Sequence, residues 1–504
     1  MRLTNVSQMQ TQAGRLSSYA VAVQPLSPEA SGGAASAQLP VSFDQSRHVS
    51  FGSRPGSWMG VSFQLPAHAS LEQIEQAWLA VVARHGTLQS VFEWAPAARA
   101  STPEPLRAAA EAEGPARSGG PDTDLTLQRV QVLPGAWERL RSPAARVPAS
   151  GFTAPTPAPP RDSEVLSAPE VRAALRAHFD TVCDPFGAPS YRLCVIEDVP
   201  GTEPGRGSLR TPQIIIGSDH SHVDAWSLLV LVRDLNACLA DVLSGQPVGA
   251  QLPEAEPFAD HSALFENKPF PPEEVVTRWR EILEAGGGAM PSFPLALGDI
   301  TAPADEVVEV RDVFDAEELA FVEDHARQRG VRLIALAVSV MTRLARELSG
   351  QPLRAVFPVH SREDPRWFNS VGWFITNSVL ENDDDDIRAS YAAVKEAIRL
   401  GSYPLAPIMR PYGGMPQDPG MFAMSWLDHR KLPVNVSEEL NPQHISAVIR
   451  TNGVMIWFVI NDSGLHLRCR YPDTRQARRA MRTWLAGLVY GLRAPLEQSP
   501  GAPS

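Results

Sequence analysis

The chain has 504 residues, enough for two or three domains, and its 43% hydrophobic and 20% charged residues are typical of a folded globular protein. The formal net charge of −12 argues against a nucleic-acid or anionic-membrane partner. The 46 prolines and 35 glycines predict long loops.

Strands and helices alternate along the first half of the chain. Residues 41–64 read as a loop followed by a strand, and residues 70–94 as a helix capped by Ser70 and then a strand. Two stretches rich in Pro and Ala, 95–122 and 142–162, are expected to be surface insertions because they contain too few apolar residues to form a core. The remaining predicted elements are strand 124–132, helix 170–182, strand 190–198, strand 211–220 and helix 225–243.

A crossover over residues 244–257 is predicted to lead into a second half with the same alternation. The acidic run 383–386 reads as a solvated loop and helix start. The expected elements are helix 272–286, strand 307–314, helices 315–329 and 332–349, strands 354–360 and 373–380, helix 386–400, strand 421–427, strands 446–460 and 464–471, and helix 473–493. This pattern predicts an α/β or α+β fold with two parts, 1–250 and 251–504.

The cysteines and the start of the chain favour a cytoplasmic location. Cys183, Cys194, Cys238 and Cys469 show no CxxC spacing, and we interpret them as reduced core residues. The first 14 residues contain one Arg and no apolar stretch, so no signal peptide is expected. The apolar run 333–341 is far shorter than the ~18 residues of a membrane span, and no span is expected.

The sequence IIIGSDHSHVDAWSLL, residues 214–229, places two histidines and two aspartates between a buried-type strand and an apolar helix. One interpretation is a zinc site, because HSHVDA follows an HxHxDH pattern for five positions. Ala225 stands where the last ligand belongs, so no metal is predicted. A second interpretation is a polar loop in which an aspartate caps the helix. A third is general base catalysis by one histidine, whose ordinary pKa suits proton transfer near neutral pH.

Motifs elsewhere in the chain favour the third interpretation. DHSHVDA resembles the HHxxxDG signature of the condensation-domain superfamily, which includes condensation domains of nonribosomal peptide synthetases, chloramphenicol acetyltransferase and polyketide-associated acyltransferases. Further segments resemble family motifs in the same order, so the resemblance covers roughly 40–490. These segments are FDQSRHVSF (43–51), RHGTLQSVF (84–92), FADHSALF (258–265), PVHSREDPRWFNSVGWFITNSV (358–379) and MSWLDHRKLP (424–433).

The motif residues correspond position by position, with some departures. His220 stands at the catalytic histidine, Asp224 at the aspartate and Arg362 at the family's arginine. Asp219 replaces the first histidine and Ala225 replaces the glycine. Elsewhere, Gln89 stands where RHxxLRTxF has Arg, and Thr376-Asn377 reverses the usual Asn-Thr.

The resemblance implies two chloramphenicol-acetyltransferase-like subdomains arranged as a V around a central tunnel. It implies His220 as general base, an Asp224–Arg362 pair that holds the catalytic loop, and loop amides after His220 as donors to an oxyanion. RHG (84–86) is expected to have a positional role, and His222 a packing role. The residues that could line the tunnel or position substrate are Asp219, His222, Trp226, Asn377 and Ser425.

The expected function is that of a stand-alone acyltransferase of natural-product or lipid biosynthesis. It would move an acyl group from acyl-CoA or a carrier protein's phosphopantetheinyl thioester to a small-molecule hydroxyl or amine acceptor, with no bound cofactor. The polyketide-associated, ester-forming type fits best. Two alternatives stay open: a free-standing nonribosomal-peptide condensation enzyme that forms an amide in trans, and a non-catalytic module that recruits a carrier.

Overall fold

The computed structural model describes residues 2–26, 38–96, 123–143, 165–199 and 210–497. Residues 97–122 and 144–162 of the two predicted insertions lie outside these ranges. The helices are α1 Phe43–Val49, α2 Leu71–Arg84, α3 Ala168–Val182, α4 Ala225–Ser244, α5 Phe258–Glu266, α6 Glu273–Ala285, α7 Ala316–Gln328, α8 Leu333–Ser349, α9 Ile387–Gly401, α10 Ala406–Met409 and α11 Arg475–Glu497.

The strands form two sheets. The strands are β1 Arg2–Asn5, β2 Arg15–Pro25, β3 Gln38–Leu39, β4 Trp58–Gln64, β5 Ser90–Pro96, β6 Thr123–Arg139, β7 Tyr191–Glu197, β8 Gln213–Asp219, β9 Ala304–Asp315, β10 Leu353–His360, β11 Ile375–Asn382, β12 Phe422–Asp428, β13 Gln443–Ser446, β14 Arg450–Thr451, β15 Val454–Asn461 and β16 Gly464–Pro472. Within the described ranges, the first sheet has the order β1-β13-β4-β8-β7-β2-β6-β3, with β5 also on β6, and the second has the order β11-β10-β12-β15-β16-β9-β14.

Each sheet has its own apolar core. In the first, α2 and α4 pack on the sheet, and Trp78, Leu228 and Ile216 share one buried cluster. In the second, α8 and α11 pack together, and Met341, Trp484 and Phe458 share another. The mixed α/β class predicted from the sequence is therefore confirmed.

The local sequence explains where α2 and α4 begin and end. Ser70 and Gln73 form a capping box at the start of α2, in which each side chain bonds to the other residue's backbone amide. α4 starts at the cap residue Asp224 and is followed by Gly245, whose φ of 67° lies in the left-handed region that favours glycine. These signals fix the helix that follows the His220 loop.

Several predicted elements need correction. Residues 43–49 form helix α1 and not a loop, because Ser42 and Gln45 make a capping box at its start. The segment 258–266 is helix α5, and strands β1 and β2 were not predicted. The single strand expected over 446–460 is three strands, and the first of these, β13, joins the first sheet between β1 and β4. β1 and β14 have only four and two residues, too few to show a strand pattern.

The four cysteines are all buried and make no disulfide. Across the described ranges, no helix combines the length and apolar character that a bilayer span requires. The predicted boundary near residue 250 falls in the irregular segment between α4 and α5. Because β13 belongs to the first sheet, the chain crosses back over that boundary.

Candidate active site

Strand β8 carries the motif to the edge of the first core. It pairs antiparallel with β4 on one side and β7 on the other, and all seven of its residues are buried. The chain leaves β8 at Asp219, makes one 3-10 turn over His220–His222 and enters α4 through its cap. The turn therefore has a fixed strand before it and a fixed helix start after it.

Asp224 makes two kinds of contact. Its Oδ1 accepts a hydrogen bond from the Ser227 amide at 2.7 Å, which caps α4. Its Oδ2 accepts from Arg362 Nη1 at 2.7 Å and from the Phe374 amide at 3.0 Å. The side chains of Asp224 and Arg362 are 1% and 0% exposed. The ion pair that the resemblance implied is present, and it links the motif to the segment after β10.

The rest of the Arg362 guanidinium is also fully engaged. Nη2 donates to the Ser227 hydroxyl at 2.8 Å and to the Ser370 carbonyl at 3.0 Å, and Nε donates to the Trp367 carbonyl at 3.2 Å. Its Cζ lies 3.8 Å from the ring centroid of Phe374. Burial raises the pKa of Asp224, but the charge and hydrogen bond of Arg362 outweigh it and hold that pKa below its usual value. The carboxylate is therefore ionised and held in one position.

His220 is only partly buried, unlike its neighbours on either side. Its backbone amide donates to the Ser57 carbonyl at 3.0 Å, and its ring packs on the indole of Trp373 with centroids 4.1 Å apart. Within the described ranges, its buried Nδ1 makes no hydrogen bond to another residue. Burial lowers the pKa of His220, and the carboxylates of Asp219 and Asp224 act against it. The ring is therefore neutral near pH 7, and Nδ1 is its buried nitrogen.

Asp219 is fully buried and belongs to a network that starts on α1. Its two carboxylate oxygens lie 3.2 and 3.3 Å from His48 Nε2, and Oδ1 accepts from the Ser221 amide at 2.9 Å and the Ser221 hydroxyl at 2.5 Å. Burial would raise the pKa of Asp219, but these contacts lower it to about 2. Behind His48, Arg54 Nη2 donates to His48 Nδ1 at 3.1 Å.

The other predicted site residues lie in different surroundings. His222 is buried, with Nδ1 3.0 Å from the Ser190 hydroxyl and 2.9 Å from that of Ser221, which fits a packing role. Burial lowers the pKa of His222 to about 4. Trp226 donates its indole N–H to the Phe368 carbonyl at 3.0 Å, so that group is already used.

Asn377 and Ser425 lie on the second sheet. Asn377 donates from Nδ2 to Asp44 Oδ1 at 2.8 Å, which joins β11 to α1. Ser425 is half-buried on β12, opposite Trp457 of β15. Asn377 therefore connects the second sheet to the helix that carries His48.

The RHG segment makes a structural clamp. Arg84 Nε and His85 Nε2 both lie 2.9 Å from Asp234 Oδ2, and Arg233 Nε donates to Asp234 Oδ1 at 2.8 Å. Asp234 lies on α4, so these contacts fasten the end of α2 to that helix. This geometry agrees with the positional role expected from the sequence.

The expected oxyanion donors need a partial correction. The Ser221 amide already donates to Asp219, and the Val223 amide donates to the His220 carbonyl at 3.4 Å. These two amides are therefore not free for an oxyanion. Over the described part of the chain, no group of three or more His, Cys, Asp or Glu side chains has the arrangement of a metal site.

Sequence reasoning missed His48 as a member of this site. The segment FDQSRHVSF was matched to an early family segment, yet its histidine was not singled out. The sequence feature that could have revealed it is the S-x-x-Q capping box at Ser42, which predicts a helix. In a helix, Asp44 and His48 are four residues apart and lie on one face.

Comparisons with known proteins give the context for this geometry. No protein-family model matches the chain. Acyltransferase PapA3 of Mycobacterium tuberculosis is 24% identical over 289 residues, which is 54% of this chain and 60% of the relative. The chain thus spans about three-fifths of the length of this curated relative.

Solved structures match over nearly the whole chain. The structure of PapA2 acyl transferase superposes with a TM-score of 0.71 at 18% identity, covering 98% of this chain and 99% of that one. The first condensation domain of the calcium-dependent antibiotic synthetase superposes with a TM-score of 0.58 at 12% identity, covering 91% and 97%. The chain therefore has the two-lobed fold that these two structures share, as the resemblance implied.

Proposed function

We propose that the chain is a condensation-type acyltransferase that moves an acyl group from a thioester to a hydroxyl or amine acceptor. The observation that carries the proposal is the placement of His220. It is a neutral, partly exposed imidazole on a turn that is held by a buried ion pair between the two parts of the fold. The likeness to PapA3 in sequence and to PapA2 in fold supports the same reaction class.

The residues suggest direct transfer in which His220 carries the proton. Nε2 removes the proton from the acceptor O–H or N–H as that atom attacks the thioester carbonyl carbon. The tetrahedral intermediate then expels the thiolate, which takes the proton from the imidazolium. Asp224 and Arg362 hold the turn, while Trp373 packs on the ring and limits its rotation.

A cysteine acyl-enzyme does not fit the surroundings of the thiols. All four cysteines are buried. Burial raises the pKa of each of them, to about 12 for Cys194 and about 11 for Cys238. Since the thiolate is the nucleophilic form, these residues are poor acyl acceptors. Ser221 is committed as well, because its hydroxyl donates to Asp219.

The finer features of the proposal concern the substrates. We propose acyl-CoA or a carrier-protein phosphopantetheinyl thioester as donor, and a natural-product or lipid intermediate as acceptor. The name of PapA3 supports acyl transfer as such. The thioester donor is proposed from the resemblance of DHSHVDA to the HHxxxDG signature. An ester-forming, polyketide-associated reaction in the cytoplasm is the preferred version, and amide formation in trans is the alternative.

The experiment that tests the proposal measures thiol release from a panel of acyl-CoA and acyl-pantetheine donors. Each donor is mixed with wild-type protein or the His220→Ala variant, with and without acceptor alcohols and amines. Release that depends on His220 and rises with one acceptor class would establish acyl transfer and name the acceptor. Absence of release from every donor, with both proteins folded, would contradict acyl transfer from these small thioesters.

The pH dependence of that release is a further prediction. Only neutral His220 can accept a proton, and burial lowers its pKa from the ordinary 6.5. Activity should therefore stay on a plateau down to about pH 6.5 and fall only below it. A profile of kcat/KM between pH 5 and 8 checks this, and an acid limb centred above pH 7 would contradict it.

A further inference from the structure

Helix α1 makes two contacts with the residues that flank His220 and one contact with the second sheet. His48 reaches Asp219, which precedes His220, and Gln45 Nε2 donates to the Ser221 carbonyl, which follows it, at 2.9 Å. Asp44, one turn before His48, accepts from Asn377 of β11. The helix therefore contacts the residue on each side of the base and also the second sheet.

The donors around His48 define its protonation. Arg54 carries only donor groups, so His48 Nδ1 must accept from it, and the ring proton then lies on Nε2. That proton points at the Asp219 carboxylate, 3.2 Å away. Arg54 also donates to the backbone carbonyl of His48 at 3.1 Å. Both ring nitrogens of His48 therefore have a hydrogen-bond partner, and Arg54 holds the ring in the orientation that faces Asp219.

Asp219 connects the fixed His48 ring to the His220 turn. Its Oδ1 holds both the amide and the hydroxyl of Ser221, so the carboxylate closes the backbone around His220. In the signature that the segment resembles, a histidine stands at the position of Asp219. Here the strand carries a carboxylate at that position, and the imidazole that contacts it lies on α1.

We propose that His48 is a positioning residue for His220, acting through Asp219 and the first turn after β8. The inference rests on the proposed function, because it takes His220 to be the base. His48 touches no reacting atom in this scheme. It fixes where the His220 ring stands, and a displacement of about 1 Å at such a position costs about 10²-fold in rate.

The test compares six variants, among them a double variant and its two single changes, by steady-state thiol release and by amide hydrogen exchange of the peptide covering 213–229. His48→Phe removes the donor to Asp219. His48→Gln keeps the polarity, because its amide N–H can donate to Asp219 and its oxygen can accept from Arg54. His48→Asp combined with Asp219→His exchanges the two groups. His178→Phe is the matched control, because the side chains of His48 and His178 are both 11% exposed. His178 lies on α3 and its ring contacts the Ser18 hydroxyl, away from the His220 turn.

We expect His48→Phe to lower kcat by about 10–100-fold with KM within about twofold. Amide exchange should become faster over 219–227 and nowhere else. His48→Gln should recover most of the kcat that His48→Phe loses. The His48→Asp, Asp219→His double variant should have a higher kcat than either of its single changes. The control should leave kcat and the exchange of 213–229 unchanged.

Three results would overturn the inference. The first is a His48→Phe variant with wild-type kcat and wild-type exchange over 219–227. The second is a kcat of His48→Gln no higher than that of His48→Phe, together with a kcat of the His48→Asp, Asp219→His double variant no higher than that of either single change. The third is equal loosening of the turn by His178→Phe. If the wild-type protein transfers no acyl group, the proposed function fails, and the exchange of 219–227 still decides whether His48 holds the turn.

Discussion

Replacing Asp224 with alanine is expected to lower the free energy of unfolding by about 3–5 kcal/mol and to abolish most acyl transfer. The reason is that Arg362, 0% exposed, would keep its charge without a carboxylate partner. The Phe374 amide would lose its acceptor as well. Urea unfolding followed by tryptophan fluorescence measures the stability, and thiol release measures the activity.

Two controls separate the buried charge from the helix cap. Asp315→Ala removes another cap aspartate, which is exposed and accepts from the Glu318 amide at 2.9 Å, and should cost only about 1 kcal/mol. Asp224→Ala combined with Arg362→Met removes the stranded charge and should be more stable than Asp224→Ala alone. A loss in Asp224→Ala no larger than that in Asp315→Ala would show that the ion pair contributes little.

His220→Ala is expected to lose activity as Asp224→Ala does, but with only a small loss of stability. General base catalysis is worth about 10²–10⁴ in rate, so the rate of acceptor-dependent thiol release should fall by that factor. The stability should fall by only about 1 kcal/mol, because the lost ring is partly exposed and its main contact is the face of Trp373. The backbone bond to Ser57 is retained in alanine.

The neighbouring histidine provides the matched comparison. His222→Ala removes a fully buried ring and leaves the hydroxyls of Ser190 and Ser221 without that partner, so it should cost more stability than His220→Ala. It leaves the base in place and should retain more activity. Equal, large decreases of melting temperature in the Asp224 and His220 variants would contradict this division of roles.

Local features of the site could be read from the sequence. The β-branched run before Gly217 predicts the buried strand, and Asp224 followed by an apolar periodic segment predicts the capped helix α4. A strand, a polar turn and a helix in that order already place His220 at the end of a buried sheet. The resemblance added Arg362, which lies 138 positions away from Asp224 and could not be found from spacing.

Long-range features were not predictable in the same way. His48 reaches Asp219 across 171 positions, and only the packing of α1 against the turn brings the two together. The transfer of β13 to the first sheet has a similar cause, because a strand's pairing partner depends on the whole topology and not on its own pattern. A capping box predicts that a helix forms, but it does not predict which loop the helix touches.

The position of β13 has a consequence for how the protein is made. β1, at the very start of the chain, pairs with β13 through the register Arg2 to Gln443. Its neighbour therefore emerges from the ribosome only after the long intervening segment, which contains strands β4 to β12, has been synthesised. Contacts of such large sequence separation form late and slowly. A nascent chain ending near residue 250 would carry an unfinished sheet edge, so maturation of the first lobe must wait for translation of the second.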